Sequence, residues 1–172
     1  VITMTTVYAF AFTRIYTRPV TRVAASRWIF QNIPGPFSVA IDKGDGIYMQ
    51  PIAMPPGYKY RVGEEFQQRF VARQTGVINE IAVGRLKEEN VDSENESFMV
   101  EILEHPDRSS SLGSGRLDAD FGNGSGYTIS LDEKVQVVEG QSYYLVSSVL
   151  DGGDVFIEGA HLINESTWDD GL

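Results

Sequence analysis

The sequence predicts a mainly β protein, a jelly-roll-type β-sandwich, preceded by a truncated apolar helix and a short helical segment. Short runs alternate apolar and polar residues with a period of two, as half-buried strands do. Clusters of Gly, Pro, Asn, Asp and Ser punctuate them at roughly 8–12-residue spacing, and no second long helical period follows the N-terminal one. Four regions follow: 1–17, the end of a membrane helix; 18–56, a helix plus a strand and linker; 57–164, the sandwich; and 165–172, a C-terminal Trp-Asp-Asp segment.

Residues 1–13 carry no charge before Arg14. This run is too short to cross a bilayer alone, which takes about 20 residues, but it suits the second half of a spanning helix. It lacks the basic flank and small-residue cleavage pattern of a secretory signal. Pro19 suits a first helical turn, and Val23, Ala24, Trp28 and Ile29 then line one side of a helix over Val20 to Ile33. Pro34-Gly35-Pro36 ends it. A strand over Phe37 to Ile41, a turn at Lys43-Gly-Asp-Gly46 and a strand over Ile47 to Ile52 come next, and Pro55-Pro-Gly57 marks the start of the main domain.

Inside that domain Phe66, Gln68 and Phe70 face one way while Gln67, Arg69 and Val71 face the other. Further strands are expected over Gly76 to Val83, Ser97 to Leu103, Tyr127 to Leu131, Val135 to Val138, Ser142 to Leu150 and Val155 to Ile163. The acidic run Glu88 to Glu96 is expected as a solvated loop, and Pro106 to Gly126 as a long Gly/Ser/Asp-rich excursion. Asp151-Gly-Gly-Asp154 is expected to turn a hairpin.

Charge separates the two halves. The whole chain is at −10, but residues 1–60 are at +4 and the rest at −14. An anionic surface repels phosphate backbones, so nucleic acid is not an expected partner. The absence of Cys excludes disulfides and thiolate metal sites.

No catalytic set emerges. Ser109-Ser-Ser111 has no adjacent base, and His105 and His161 are far apart in sequence. Asp118, Asp120 and Asn123, in a glycine-rich acidic segment, supply the oxygen ligands a Ca²⁺ would take, although the spacing is not that of an EF-hand. Exposed aromatic rings at loops and strand ends suit the apolar faces of sugar rings, and Tyr127 and Tyr144 are the candidates. Tyr143 and Tyr144 must point to opposite faces of a strand, so at most one is core.

The segments Arg18-Pro-Val-Thr-Arg-Val-Ala-Ala-Ser-Arg-Trp-Ile-Phe-Gln-Asn-Ile-Pro34, Phe37-Ser-Val-Ala-Ile41 and Glu165-Ser-Thr-Trp-Asp-Asp-Gly-Leu172 resemble the end of bacterial and archaeal polytopic membrane proteins. These are the uncharacterised YYY membrane-protein family and related family-39-type glycosyltransferases. There a last membrane helix leads to a similar helix, a strand and a Trp-Asp-Asp segment outside the membrane. A more distant likeness is to oligosaccharyltransferases, whose Trp-Asp-Tyr-Gly motif helps hold an acceptor peptide; here Asp170 stands where that motif has Tyr.

The resemblance implies an extracytoplasmic, membrane-associated fragment that lacks the family's catalytic carboxylates, with the sandwich inserted between two parts of one motif. Trp168, Asp169 and Asp170 are then ligand-binding candidates beside Tyr127 and Tyr144. The charge of Arg14, Arg18, Arg22 and Arg27 pulls the other way, toward the cytoplasm. The expected function is a non-catalytic module that binds or orients a glycan; the alternative is a structural sandwich that contacts a neighbouring protein.

Overall fold

In the computed structural model, residues 35–55, 57–88 and 96–158 are described, together with Trp28. They form two antiparallel sheets packed face to face. The first contains β1 (Phe37–Asp42), β2 (Ile47–Ile52), β3 (Lys59–Tyr60), β5 (Gly76–Glu88), β8 (Gly126–Val137) and β10 (Val155–Glu158). The second contains β4 (Glu65–Val71), β6 (Glu96–Leu103), β7 (Ser111–Ala119) and β9 (Ser142–Asp151), in the order β4-β9-β6-β7. Inward residues of both sheets, among them Val39, Ile41, Ile81, Phe98, Val100, Ile129 and Leu145, form one apolar cluster. Removing that surface from water is the main stabilising term.

The long strand β5 organises the first sheet. One side pairs with β8. The other is shared by two shorter strands laid end to end, β1 opposite Val77 to Val83 and β10 opposite Arg85 to Glu88. Gly84 stands at the junction. A Cβ there would lie 2.5 Å from the carbonyl oxygen of Glu158 and 3.1 Å from that of Gly35, while Gly84 N donates to Pro36 O at 2.8 Å. The first and last described strands therefore meet at one point.

The pairings from β3 to β10 are nested. β6 pairs with β7, β5 with β8, β4 with β9 and β3 with β10, and successive pairs alternate between the two sheets. The chain thus runs as one long hairpin folded over on itself, with its tip in the loop 104–110.

Contacts between the sheets close both flanks. Where β7 passes β8, a Cβ on Gly115 would lie 2.5 Å from Ser130 O, and one on Gly113 would lie 2.8 Å from the Val135 side chain. On the opposite flank buried Gln50 of β2 donates to Val71 O at 2.7 Å and accepts from Arg73 N at 2.9 Å, satisfying backbone groups at the end of β4. Through the middle, the Tyr60 hydroxyl and Ser147 Oγ share a hydrogen bond of 2.6 Å, both side chains being fully buried. Burial pushes the Tyr60 phenol well above its ordinary pKa, so it stays neutral.

Four expectations are corrected. β1 and β2, set ahead of a boundary at Gly57, are strands of the first sheet, and Phe37, Val39, Ile41 and Ile52 are core residues. The middle of the excursion Pro106 to Gly126, Ser111–Ala119, is strand β7, whose glycines serve close sheet contact rather than turns. Tyr127 to Leu131 and Val135 to Val137 belong to one strand, β8, interrupted only by a register shift opposite Asn79, and the expected Val138 lies just past its end. Asp151 to Asp154 is not a hairpin turn: it carries the chain from β9 in one sheet to β10 in the other. Among the described residues no helix is long and apolar enough to cross a membrane. Of the helix expected over Val20 to Ile33 only Trp28 is described, helical and exposed, while the membrane helix expected over 1–17, the loop residues 89–95 and the segment 165–172 lie outside the described residues.

Tyr60→Phe will leave Ser147 Oγ buried without its partner and should cost about 1–3 kcal/mol in urea unfolding, most of which the double variant Tyr60→Phe, Ser147→Ala should recover. Gly84→Ala and Gly115→Ala each push a methyl into a carbonyl oxygen and should each lower stability by roughly 1–3 kcal/mol in the same assay.

Candidate functional site

Strands β6 and β9 are antiparallel neighbours, so the end of one meets the start of the other. There Glu104 and His105, just after β6, face Gln141, Ser142, Tyr143 and Tyr144 around an open pocket of about 300 Å³. Tyr143 points into the core, where it is 4% exposed and packs on Phe70 with ring centroids 5.9 Å apart. Its neighbour Tyr144 therefore faces outward and reaches the pocket, as the strand period requires.

Buried and framework bonds orient the polar lining. The Tyr143 hydroxyl donates to Gln141 Oε1 at 3.0 Å, which directs the Gln141 amide N–H groups away from the core. Arg69 Nη2 and Nε donate to Ser142 Oγ at 2.7 and 3.2 Å, so the hydroxyl proton of Ser142 is left to donate elsewhere. Glu104 Oε2 accepts from Ser110 Oγ at 3.3 Å, and the carboxylate keeps further acceptor capacity. The pocket thus offers an amide donor, a hydroxyl donor, a carboxylate acceptor and an aromatic ring. Among the described residues no hydrogen bond joins His105 to Ser142. Ser142 is held as an acceptor by Arg69.

The other predicted residues sit at the opposite end of the sandwich. Tyr127 donates its hydroxyl to Asp120 O at 2.9 Å and sets its ring edge on Phe121 at 5.3 Å; burial first, then the nearby Asp120 and Glu96 carboxylates, raises its phenol pKa. It pins the turn between β7 and β8. Asp118 Oδ1 accepts from Ser97 Oγ at 2.5 Å and from Arg116 Nε at 2.8 Å. Asp120 Oδ1 accepts from Gly122 N at 2.7 Å inside that turn, which also holds Asn123. These bonds engage one oxygen of each carboxylate. Among the described residues no three His, Asp or Glu side chains come together as a metal site. Trp168, Asp169, Asp170 and His161 lie outside the described residues.

The expected Tyr144 lines this pocket together with Glu104, His105, Gln141 and Ser142, which sequence reasoning did not set beside it. Their signal was positional: two polar residues follow one strand, one precedes another and one opens it, and only the sheet order brings them together.

The Ser97 hydroxyl first, then Arg116, holds the Asp118 carboxyl below its ordinary pKa of 3.8. A carboxyl-carbon NMR titration should place Asp118 below that value, and Ser97→Ala should raise it more than Arg116→Ala. The stabilisation is present above the unfolded-state pKa and is lost as pH falls through the folded one, so Asp118→Asn should remove part of the acid sensitivity. Compared with known proteins, the chain matches no family model, and no curated protein matches it.

Proposed function

We propose that the sandwich is a jelly-roll-type, non-catalytic sugar-binding module, inserted in the extracytoplasmic part of a membrane glycosyltransferase-like protein. The nested strand order supports the jelly roll: setting β1 and β2 aside, the sheets read β3-β10-β5-β8 and β4-β9-β6-β7. Insertion is supported by the convergence of Gly35 and Glu158 on Gly84, since a host chain interrupted there keeps its flanks together. Phe37 to Ile41 is then a strand of the module rather than of the host motif, and the interruption falls just after Pro34.

The observation that carries the sugar reading is the pocket beside Tyr144. A pyranose presents an apolar face and a ring of hydroxyls, and an aromatic side chain flanked by outward donors and a carboxylate matches both. A volume of about 300 Å³ is at the small end for ligand pockets, so it admits a single sugar unit and not a buried chain. The pocket lies at the end of the sandwich away from Gly84, and so faces away from the point of attachment.

The test is an NMR titration of the full chain with methyl glycosides of glucose, galactose, mannose and N-acetylglucosamine. At least one should shift resonances of residues 104–110 and 138–144 selectively, and Tyr144→Ala should weaken it about tenfold. Glu104→Gln should weaken it less. If no glycoside binds while the chain self-associates through exposed apolar residues such as Ile47, Val71 and Val138, the structural-module reading replaces this one.

A further inference from the structure

The loop 104–110 lies at the tip of the long hairpin, and residues 104–109 are each exposed. It folds back over the outer face of the second sheet. Its base is closed by Glu104 N donating to Ser110 O at 3.1 Å and by the Ser110–Glu104 side-chain bond. Asp107 Oδ1 accepts from Ser109 N and Oγ at 3.1 and 2.7 Å, stiffening the middle. Gln67 Nε2 on β4 donates to Pro106 O at 3.3 Å.

Arg108 then fastens the loop down. Its Nη1 meets Glu65 Oε1 on β4 and its Nη2 meets Glu101 Oε2 on β6, each at 2.7 Å. Strand β9 lies between β4 and β6, so the guanidinium spans it. Val146 of β9 is paired with Gln67 and Glu101 and points outward, yet it is 3% exposed. The loop and its arginine cover it. Arg108 has a φ of +60°, a left-handed conformation that costs a non-glycine residue free energy and persists only where the surroundings hold it. The two carboxylates provide that hold.

Glu104 and His105, one wall of the pocket, are the first residues of this loop. We propose that Arg108 is a positioning residue for the pocket: by clamping the loop to Glu65 and Glu101, neither of which lines the pocket, it fixes the wall against which the ligand sits. The proposal rests on the sugar-binding reading for its ligand. The clamp itself does not depend on it.

The ion pairs are about half-exposed at Arg108 and Glu65, so salt screens them. The test compares the full chain with the double variant Glu65→Gln, Glu101→Gln and with Arg108→Lys, which can keep one pair but not the two-pronged fork. The probes are the uncharged methyl glycosides named above. Removing the clamp should speed amide exchange at residues 107–109 by about tenfold while β6 and β9 stay protected, and should weaken the glycoside about fivefold. Arg108→Lys should fall between.

The discriminating readout is salt. Binding of an uncharged sugar should weaken in 1 M NaCl for the native chain and be insensitive to salt in the double variant, where no clamp remains. A native affinity that ignores salt, or loop exchange unchanged by the double substitution, overturns the proposal. If no glycoside binds the native chain, the sugar reading fails separately. The clamp is then decided by the ring resonances of His105 and Tyr144: movement with salt in the native chain alone supports it, and no movement overturns it.

Discussion

A strand of thirteen residues must have partners along both of its sides, and in this protein that requirement shapes the first sheet. β8 serves one side of β5. No strand of matching length serves the other, which is shared by β1 and β10. At their meeting point three backbone segments crowd, and a glycine is needed there. With Gly84 replaced by anything larger, one of the two short strands would have to move off β5, and with it part of the core from Phe37 or Ile157.

The sheets are joined by different chemistry at each flank. Against β8 the contact is backbone on backbone, made possible by the missing side chains of Gly113 and Gly115. At β2 it is a buried amide that completes the hydrogen bonding of an edge strand. In the centre it is one hydroxyl pair inside an apolar core, which specifies how the sheets slide against each other as a purely apolar contact would not. The outward face of the second sheet is finished by the arginine clamp.

Much of this was legible in the alternation of side chains. Period two set Phe66 and Phe70 on one face and allowed at most one of Tyr143 and Tyr144 into the core, as β4 and β9 bear out. Misreadings arose where a residue type has two physical uses. The glycines of β7 resemble a turn sequence, and Asp132-Glu133-Lys134 resembles a break in β8; each is a strand segment placed against another strand. Asp151-Gly-Gly-Asp154 carries turn chemistry, but composition cannot say whether a turn stays in its sheet or leaves it. The pocket was legible only in Tyr144, because its other residues are contributed by segments that meet through sheet order alone.

The nested pairing also sets an order of entropic cost for the folding chain. β6 and β7 are closed by the short loop 104–110, whereas β3 and β10 bring Tyr60 to Val155 across nearly the whole domain. Loop-closure entropy rises with the length of chain enclosed, so an outer pair formed first would enclose everything between, while each inner pair already formed shortens the loop left for the next. The cheapest path zips outward from the tip, and its last step joins β10 to β5 beside Gly84. A topology this rich in distant pairings folds slowly compared with helical domains of its size. The clamp at Arg108 therefore acts on the pairing that the remainder of the zipper builds upon.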